Sequence, residues 1–362
     1  MNEQPERRGP GAAGAVLALL AAVAVVLGLV VGRPMLDERE RAPRAAPEAA
    51  PTFGKPSGRR PGVVAINTEQ GYRMVSSAGT GIVLDASGLV LTNNHVIQGA
   101  TRIEGTDTDN RRTYPAEVVG YDTAGDLAVI RLKGAGPLKV AALGSGERVR
   151  IGEPVTAVGN SNGKADRGRP KVVTGRVLSL DQTIDATDQS DGSSERLYGL
   201  IETDAPIRPG DSGGPLLNSA GKVIGVNTAA SAGFTMKRQG GNRGYAIPVD
   251  RAMGIARQIQ RGEASASVHI GPTAMLGVQV RTAPGSSGAF ISETLPGTPA
   301  EAAGLRPKTT IVAVDGRPVD SPGTLTDLLL AQHPGDTVQI TWADDQGRRT
   351  TTPIRLAEGP PQ

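Results

Sequence analysis

Thr203-Asp204-Ala205-Pro206-Ile207-Arg208-Pro209-Gly210-Asp211-Ser212-Gly213-Gly214-Pro215-Leu216 is the stretch on which the reading of this chain turns. A serine hydroxyl is a poor nucleophile unless a base takes its proton while donors stabilise the oxyanion. Glycines on both sides of Ser212 let the backbone bend so that N–H groups and the hydroxyl face one point. A glycine-rich turn has the same composition, so the question is whether a base exists. The chain holds three histidines. His333 precedes Pro334-Gly335 at the end of a helical run, where a helix-capping cation is the expected role. His269 lies in a polar stretch with no nearby acid. His95 follows the strand Leu91-Thr92-Asn93-Asn94, and Asp126 opens a second apolar strand, Leu127-Ala128-Val129-Ile130. A carboxylate there is either solvated or serves to orient a histidine.

The surroundings of these residues read as short strands. Gly81–Leu84 and Leu89–Thr92 flank Asp85-Ala86-Ser87-Gly88, which is turn chemistry for a hairpin. Leu216-Leu217 and Val223–Val226 flank Asn218-Ser219-Ala220-Gly221 in the same way. No long helical pattern occurs before about 249–261, so barrels or sandwiches are expected. The 49 Gly and 27 Pro agree with a turn-rich, mainly β chain. With only three Phe, one Trp and five Tyr, its core must be filled by Val, Ile, Leu and Ala.

Composition excludes several chemistries. There is no cysteine, which rules out disulfides, thiol nucleophiles, thiolate zinc and iron–sulfur clusters. No P-loop or strand-to-helix dinucleotide fingerprint is present, and no cofactor or metal is expected. The net charge of +3 arises in residues 33–61, which carry seven bases and four acids, whereas residues 62–362 hold 30 of each sign. A nucleic-acid binder concentrates basic charge on its folded part. This chain does not, so nucleic acid is not an expected partner.

The order His, Asp, Ser and the wording around each resemble the HtrA/Deg branch of the chymotrypsin-like serine proteases: LTNNHV at 91–96, DLAVI at 126–130, TDAPIRPGDSGGPL at 203–216 and GYAIPV at 244–249. That resemblance implies two β-barrels, at roughly 62–155 and 156–255, meeting at a cleft. It also implies Ser212 as nucleophile, His95 as general base and Asp126 as the group that orients it, with the backbone N–H groups of Gly210 and Ser212 as oxyanion hole. Six residues before Ser212, where trypsin-type enzymes carry an aspartate, stands Pro206. Together with the wall segment Val226-Asn227-Thr228 it implies a pocket for Val, Ala, Leu or Ile in unfolded chains. Asp211 departs from the Asn of many relatives and is expected to find a local donor, with Arg208 a candidate. Residues 164–176 hold five bases and one acid, while 181–204 hold seven acids and one base. As a pair of facing loops they would attract.

A second β-rich unit begins at Met275-Leu276-Gly277-Val278. Thr298-Pro299-Ala300-Glu301 has the form of a capping box with Gly304 as the stop, and Ser321-Pro322 opens a helix with an apolar face at Leu325, Leu328 and Leu329. Val338, Ile340 and Trp342 alternate as a strand. The order resembles a single PDZ domain over about 272–357. By that resemblance residues 275–278 form a loop for a peptide's terminal carboxylate, and the peptide adds as a strand beside the helix at 322–333.

Gly11 to Val31 is a run of 21 residues made only of Gly, Ala, Val and Leu, about 30 Å long as a helix and matched to a bilayer core, with a cleaved signal peptide, whose apolar region is about 7–15 residues, as the competing reading. The expected organisation is therefore a cytoplasmic segment 1–10, a transmembrane helix 11–31, a tether 32–61, a protease domain 62–255, a linker 256–271, a PDZ domain 272–357 and a tail 358–362. Two bases precede the span and four closely follow it, a count that favours the opposite orientation. Placing the protease outside the cytoplasmic membrane rests on the resemblance, as does the option of a homotrimer. The expected function is a membrane-tethered endopeptidase for unfolded or damaged proteins, regulated by carboxy-terminal peptides bound to the PDZ domain. A holdase or stress sensor in which proteolysis is secondary is the alternative.

Overall fold

The computed structural model describes residues 62–72, 74–160, 170–188, 194–228, 234–236, 243–282 and 287–362. The expected transmembrane helix and tether lie outside these residues. Among the described residues no helix is long and apolar enough to cross a membrane.

Six strands close the first barrel: β1 (Val63–Gln70), β2 (Val75–Val83), β3 (Leu89–Thr92), β4 (Arg102–Asp107), β5 (Thr113–Asp122) and β6 (Leu127–Leu132). They run β5-β4-β1-β2-β3-β6, and β6 pairs back onto β5. Closure removes the exposed edges that an open sheet would present. The β2–β3 turn forms as its sequence requires. The Asp85 carboxylate accepts from the N–H groups of Ser87 at 2.8 Å and Leu89 at 3.2 Å, and Gly88 takes the left-handed region at φ 101°. A four-residue helix, α1 (Asn94–Ile97), follows β3 directly and carries His95.

The second barrel repeats the plan. Its strands are β7 (Pro154–Gly159), β8 (Lys171–Asp188), β9 (Ser194–Thr203), β10 (Pro215–Leu217), β11 (Val223–Thr228) and β13 (Gly244–Pro248), in the order β8-β7-β10-β11-β13-β9 with β9 returning to β8. β12 (Phe234–Met236) adds to the outside of β8. Of the oppositely charged stretches, residues 171–176 lie on β8 and pair with β7, while most of the acidic stretch forms the β8–β9 hairpin. Across it the backbone N–H of Arg176 donates to the Asp204 carboxylate at 2.6 Å. The most basic part, residues 161–169, lies outside the described residues.

Helix α2 (Val249–Gln260) follows the second barrel and buries Val249, Ala252, Ala256 and Ile259. They join Val63, Leu91, Val129, Val158, Leu200 and Val226 in one apolar cluster drawn from both barrels. Fully burying such a side chain contributes about 1.5–3 kcal/mol. In a chain without disulfides, a cluster of this kind takes over the role of a covalent staple between the two halves. The linker expected at 256–271 is not a free tether. Within it β14 (Val268–Ile270) pairs antiparallel with β5 and extends the first barrel. His269 is accordingly buried, with Nδ1 3.0 Å from the Leu330 carbonyl and Nε2 3.1 Å from that of Pro272.

The remaining strands are β15 (Thr273–Met275), β16 (Val278–Arg281), β17 (Ala289–Thr294), β18 (Thr310–Val314), β19 (Arg317–Pro318), β20 (Thr337–Ala343), β21 (Arg349–Arg355) and β22 (Ala357–Gly359). A sheet of order β16-β17-β18-β20-β21 is joined by helices α3 (Pro299–Ala302) and α4 (Pro322–Leu330), while β15 pairs separately with β22. Ile291, Ile311, Val314, Leu325, Leu328, Val338, Ile340 and Trp342 belong to its core. Helix α4 starts as expected, since Ser321 Oγ accepts from the Thr324 N–H at 3.1 Å. It ends at Leu330 rather than 333, so His333 lies beyond the helix and caps nothing. The capping box at α3 forms only in part. Glu301 reaches back to the Gly297 N–H at 2.7 Å, but Thr298 Oγ1 donates to the Leu295 carbonyl at 2.6 Å instead of accepting from the helix.

Candidate active site

His95 and Asp126 come from the two ends of one stretch of the first barrel, the start of α1 and the residue before β6. Their side chains are 7% and 3% exposed, and His95 Nδ1 lies 2.8 and 2.9 Å from the two carboxylate oxygens of Asp126. The same carboxylate accepts from the His95 backbone N–H at 3.0 Å. Asp126 sits at φ 52°, a left-handed conformation that Asp tolerates better than most residues. Asn93 helps to hold it there, its Nδ2 donating to the Asp126 carbonyl at 2.7 Å.

Ser212 follows β9 and precedes β10 in the second barrel and is 1% exposed. Its loop is locked against the first barrel. Thr80 of β2 donates its N–H to the Ser212 carbonyl at 2.8 Å and its hydroxyl to the Gly210 carbonyl at 2.7 Å. A Cβ on Gly213 would stand 2.1 Å from the Thr80 carbonyl, 2.2 Å from Thr92 Oγ1 and 3.1 Å from the Asn93 N. Only a glycine lets the serine loop come this close to the strand that leads into His95. Gly213 also sits at φ 80°, so its identity is required twice over.

The turn before Ser212 is equally determined. Asp211 N–H donates to the Arg208 carbonyl at 2.9 Å around Pro209-Gly210, with Gly210 at φ 94°. Proline followed by a positive-φ glycine is the signature of a type II turn. The Gly210 carbonyl is taken by Thr80 Oγ1 and by the Asn160 N–H at 3.1 Å, which fixes the peptide plane. The N–H groups of Gly213 and Gly214 are committed to the carbonyls of Asn227 and Asp211. Asp211 does find a local donor at Arg208, but it is the backbone N–H, at 3.0 Å, rather than the guanidinium. Gly159 makes room for it, because a Cβ there would stand 2.3 Å from Asp211 Oδ1.

The residues of the expected pocket wall are deeply buried and hydrogen-bonded. Val226, Asn227 and Thr228 are 0%, 0% and 2% exposed. Asn227 Nδ2 donates to the carbonyls of Pro215 at 3.2 Å and Val158 at 3.4 Å, so its side chain braces the nucleophile segment. Thr228 Oγ1 donates to Asp126 Oδ2 at 3.1 Å and ties the second barrel to the acid of the first. Pro206 is half-buried between Ala205 and Ile207, both buried. Thr80, Asn93 and Thr228 are supports that sequence reading missed. Thr80 and Thr228 lie 130 and 102 residues from the groups they hold, and nothing local marks them.

A second polar group braces the same barrel. The Glu202 side chain, 5% exposed, pairs with Arg243 and accepts from the Ser179 hydroxyl. Burial alone would raise this carboxyl, but the bonds from Ser179 and Arg243 outweigh it and hold the group below its ordinary 4.5. A carboxylate with a lowered pKa adds stability that is present above its unfolded value and is lost as pH falls through the lowered one. Glu202→Gln is therefore expected to flatten the acid limb of a urea-stability profile below pH 4.5. Identical slopes for variant and wild type would refute the assignment.

In the expected carboxylate-binding loop, Met275 pairs with Ala357 and Leu276 is 2% exposed. Gly277 takes φ 93°, and a Cβ there would stand 2.2 Å from Thr298. The carbonyls of Leu276 and Gly277 accept from the N–H groups of Ala300 and Leu295, both at 2.9 Å. Val278 begins β16, the outermost strand of its sheet among the described residues.

A family model described as a trypsin-like peptidase domain matches residues 79–226, and one described as a PDZ domain matches 274–352. The chain carries a trypsin-like peptidase domain and a PDZ domain, and the proteins it resembles are serine proteases, Do-like HtrA among them. It is 36% identical over 312 residues to the serine protease PepD of Mycobacterium tuberculosis, covering 82% of this chain and 64% of that protein. It is 37% identical over 261 residues to HhoA of Synechocystis, covering 68% and 62%. Similarity to the Do-like serine protease HtrA of Bacillus subtilis is 31% over 301 residues, covering 78% and 64%. The chain spans less than two thirds of the length of these relatives.

Proposed function

We propose that the chain is a serine endopeptidase acting on unfolded or damaged polypeptides, with Ser212, His95 and Asp126 as its catalytic residues. The observation that carries this reading is the junction itself. The hydrogen-bonded His95–Asp126 pair stands on one barrel, and the other is fastened to that barrel by Thr80 at the Ser212 loop and by Thr228 at Asp126. Ser212 Oγ attacks the scissile carbonyl carbon while its proton passes to His95 Nε2. Asp126 holds the Nδ1 proton and stabilises the imidazolium that forms. The oxyanion is received by the N–H groups of Gly210 and Ser212, in a loop fixed before the substrate arrives, so little reorganisation is needed in the transition state. His95 then protonates the leaving amine, and water repeats the sequence in reverse to free Ser212.

The absence of an acid at Pro206 and the apolar flanks Ala205 and Ile207 support cleavage after Val, Ala, Leu or Ile. Incubation with a permanently unfolded polypeptide, followed by mapping of the cuts, tests both claims. Cuts after small and medium apolar residues are expected. Cuts dominated by Lys or Arg would overturn the specificity, and an uncut substrate would overturn the activity. The outer strand β16 and the Gly277 loop support peptide capture by strand addition, and with it regulation through the PDZ domain. The apolar run 11–31 supports a membrane tether, for which carbonate-resistant sedimentation with membranes is the expected behaviour, while a protease outside the cytoplasmic membrane rests on the resemblance alone.

A further inference from the structure

The segment that closes the PDZ domain also grips the helix of His95. β22 pairs antiparallel with β15, with Thr273 opposite Gly359 and Met275 opposite Ala357. Beyond Gly359 the chain crosses to the first barrel. The Pro361 carbonyl accepts from the Gly99 N–H at 2.7 Å, and the Gln362 carbonyl accepts from Asn94 Nδ2 at 3.0 Å. The Gln362 N–H donates to the Tyr121 hydroxyl at 3.3 Å, which in turn lies 3.0 Å from Thr273 Oγ1. These are not surface contacts: Pro361 is buried, Asn94 is 2% exposed and Tyr121 is 0% exposed.

Asn94 is the first residue of α1, His95 the second, and Gly99 stands just past its end. A helix of four residues makes too few internal bonds to hold its own shape, and this one has no side-chain cap. Its geometry must come from outside. Asp126 fixes the His95 ring and backbone N–H, while residues 361 and 362 take one group at each end of the helix.

We infer that residues 360–362 are a strap that positions the helix carrying His95. Because β22 is zipped to β15, and β15 runs straight into the Leu276–Gly277 loop, the strap links the peptide-reading loop to the general base. The inference rests on the proposed catalytic role of His95. A tail that merely fills a groove would add stability without setting the geometry of the base, and the two roles separate by experiment.

The test compares wild type with a chain lacking residues 360–362, and with Tyr121→Phe in case the deletion does not fold. Amide hydrogen exchange is read at residues 97–99, and kcat and KM are read on an unfolded substrate. The strap predicts exchange at Gly99 and its neighbours faster by about tenfold or more. It also predicts kcat lower by roughly tenfold with KM held within about twofold, since small misplacement of a catalytic group costs turnover rather than binding. Tyr121→Phe should shift both readings in the same direction by less. Unchanged exchange at 97–99 overturns the strap whatever the activity does. Faster exchange with unchanged kcat, or a kcat loss that only tracks the folded fraction, overturns it as well. Labelling of wild-type Ser212 by a fluorophosphonate separates this from failure of the protease reading. If Ser212 does not label, that reading falls, and the exchange result still decides whether the segment holds the helix.

Discussion

Ser212→Ala is expected to lower kcat by about 10⁶-fold, because members of a nucleophile–base pair act as a unit and loss of one disables the other. The substitution removes one oxygen from a side chain that is 1% exposed and keeps the backbone contact in which Thr80 N–H donates to the Ser212 carbonyl. Gly213 and Gly214 retain the spaces they need, so the loop has no reason to rearrange. The variant should therefore fold like the wild type, still bind an unfolded polypeptide and fail to cut it. Measurement of cleavage, binding and thermal midpoint on the same preparation checks all three. Clearance persisting in a folded Ser212→Ala protein would place the activity elsewhere and would favour a chaperone-like role.

Asp126→Asn is the second large effect, expected at about 10⁴-fold in kcat. The carboxylate accepts from the His95 N–H, from His95 Nδ1 and from the Thr228 hydroxyl. An amide offers one acceptor oxygen and an NH₂ that can only donate. With that NH₂ facing Nδ1, the imidazole proton is forced onto Nε2, the atom that must accept from Ser212. The backbone is not challenged, because Asn adopts the left-handed φ of 52° as readily as Asp. Kinetics at neutral pH with an unchanged thermal midpoint would match this account. A loss of less than about tenfold would mean that another group sets the tautomer of His95.

The parts of the molecule legible in the sequence share a property: each is built from contacts a few residues long. Asp85 and Gly88 shape the β2–β3 turn through bonds to the N–H groups of residues 87 and 89. Ser321 caps α4 through Thr324, three positions on. Apolar strands such as Leu127–Leu132 are recognisable because an unbroken apolar run, here Leu127–Ile130, is itself a local signal. The same reasoning failed where a side chain had a distant choice. Thr298 looked like a helix cap and instead gave its hydroxyl to Leu295. His333 looked like a capping cation, but α4 stops at Leu330. Residues 268–270 read as polar linker and form a strand, because β5 runs past its pairing with β4 and leaves an edge at residues 120–122 that local composition does not announce.

The candidate site divides along the same line. Its roles are implied by the resemblance carried by the motifs around His95, Asp126 and Ser212, and the absence of cysteine with only three histidines narrows the candidates. The glycines around Ser212 announced a tight turn. Their spatial reason, the approach of Gly213 to Thr80 and Thr92, appears only when two barrels close against each other. Thr228 also holds Asp126, a bond that no spacing rule announces between residues 102 positions apart. By itself the sequence determined the strand-and-turn inventory, the His, Asp and Ser candidates, and the neutral net charge of residues 62–362. Only tertiary structure decided which buried polar groups brace those candidates, and that the strap at 360–362 lies on the helix of His95. Short-range hydrogen bonds are encoded by neighbours in the chain, whereas long-range ones exist only after the apolar clusters have brought distant strands into register.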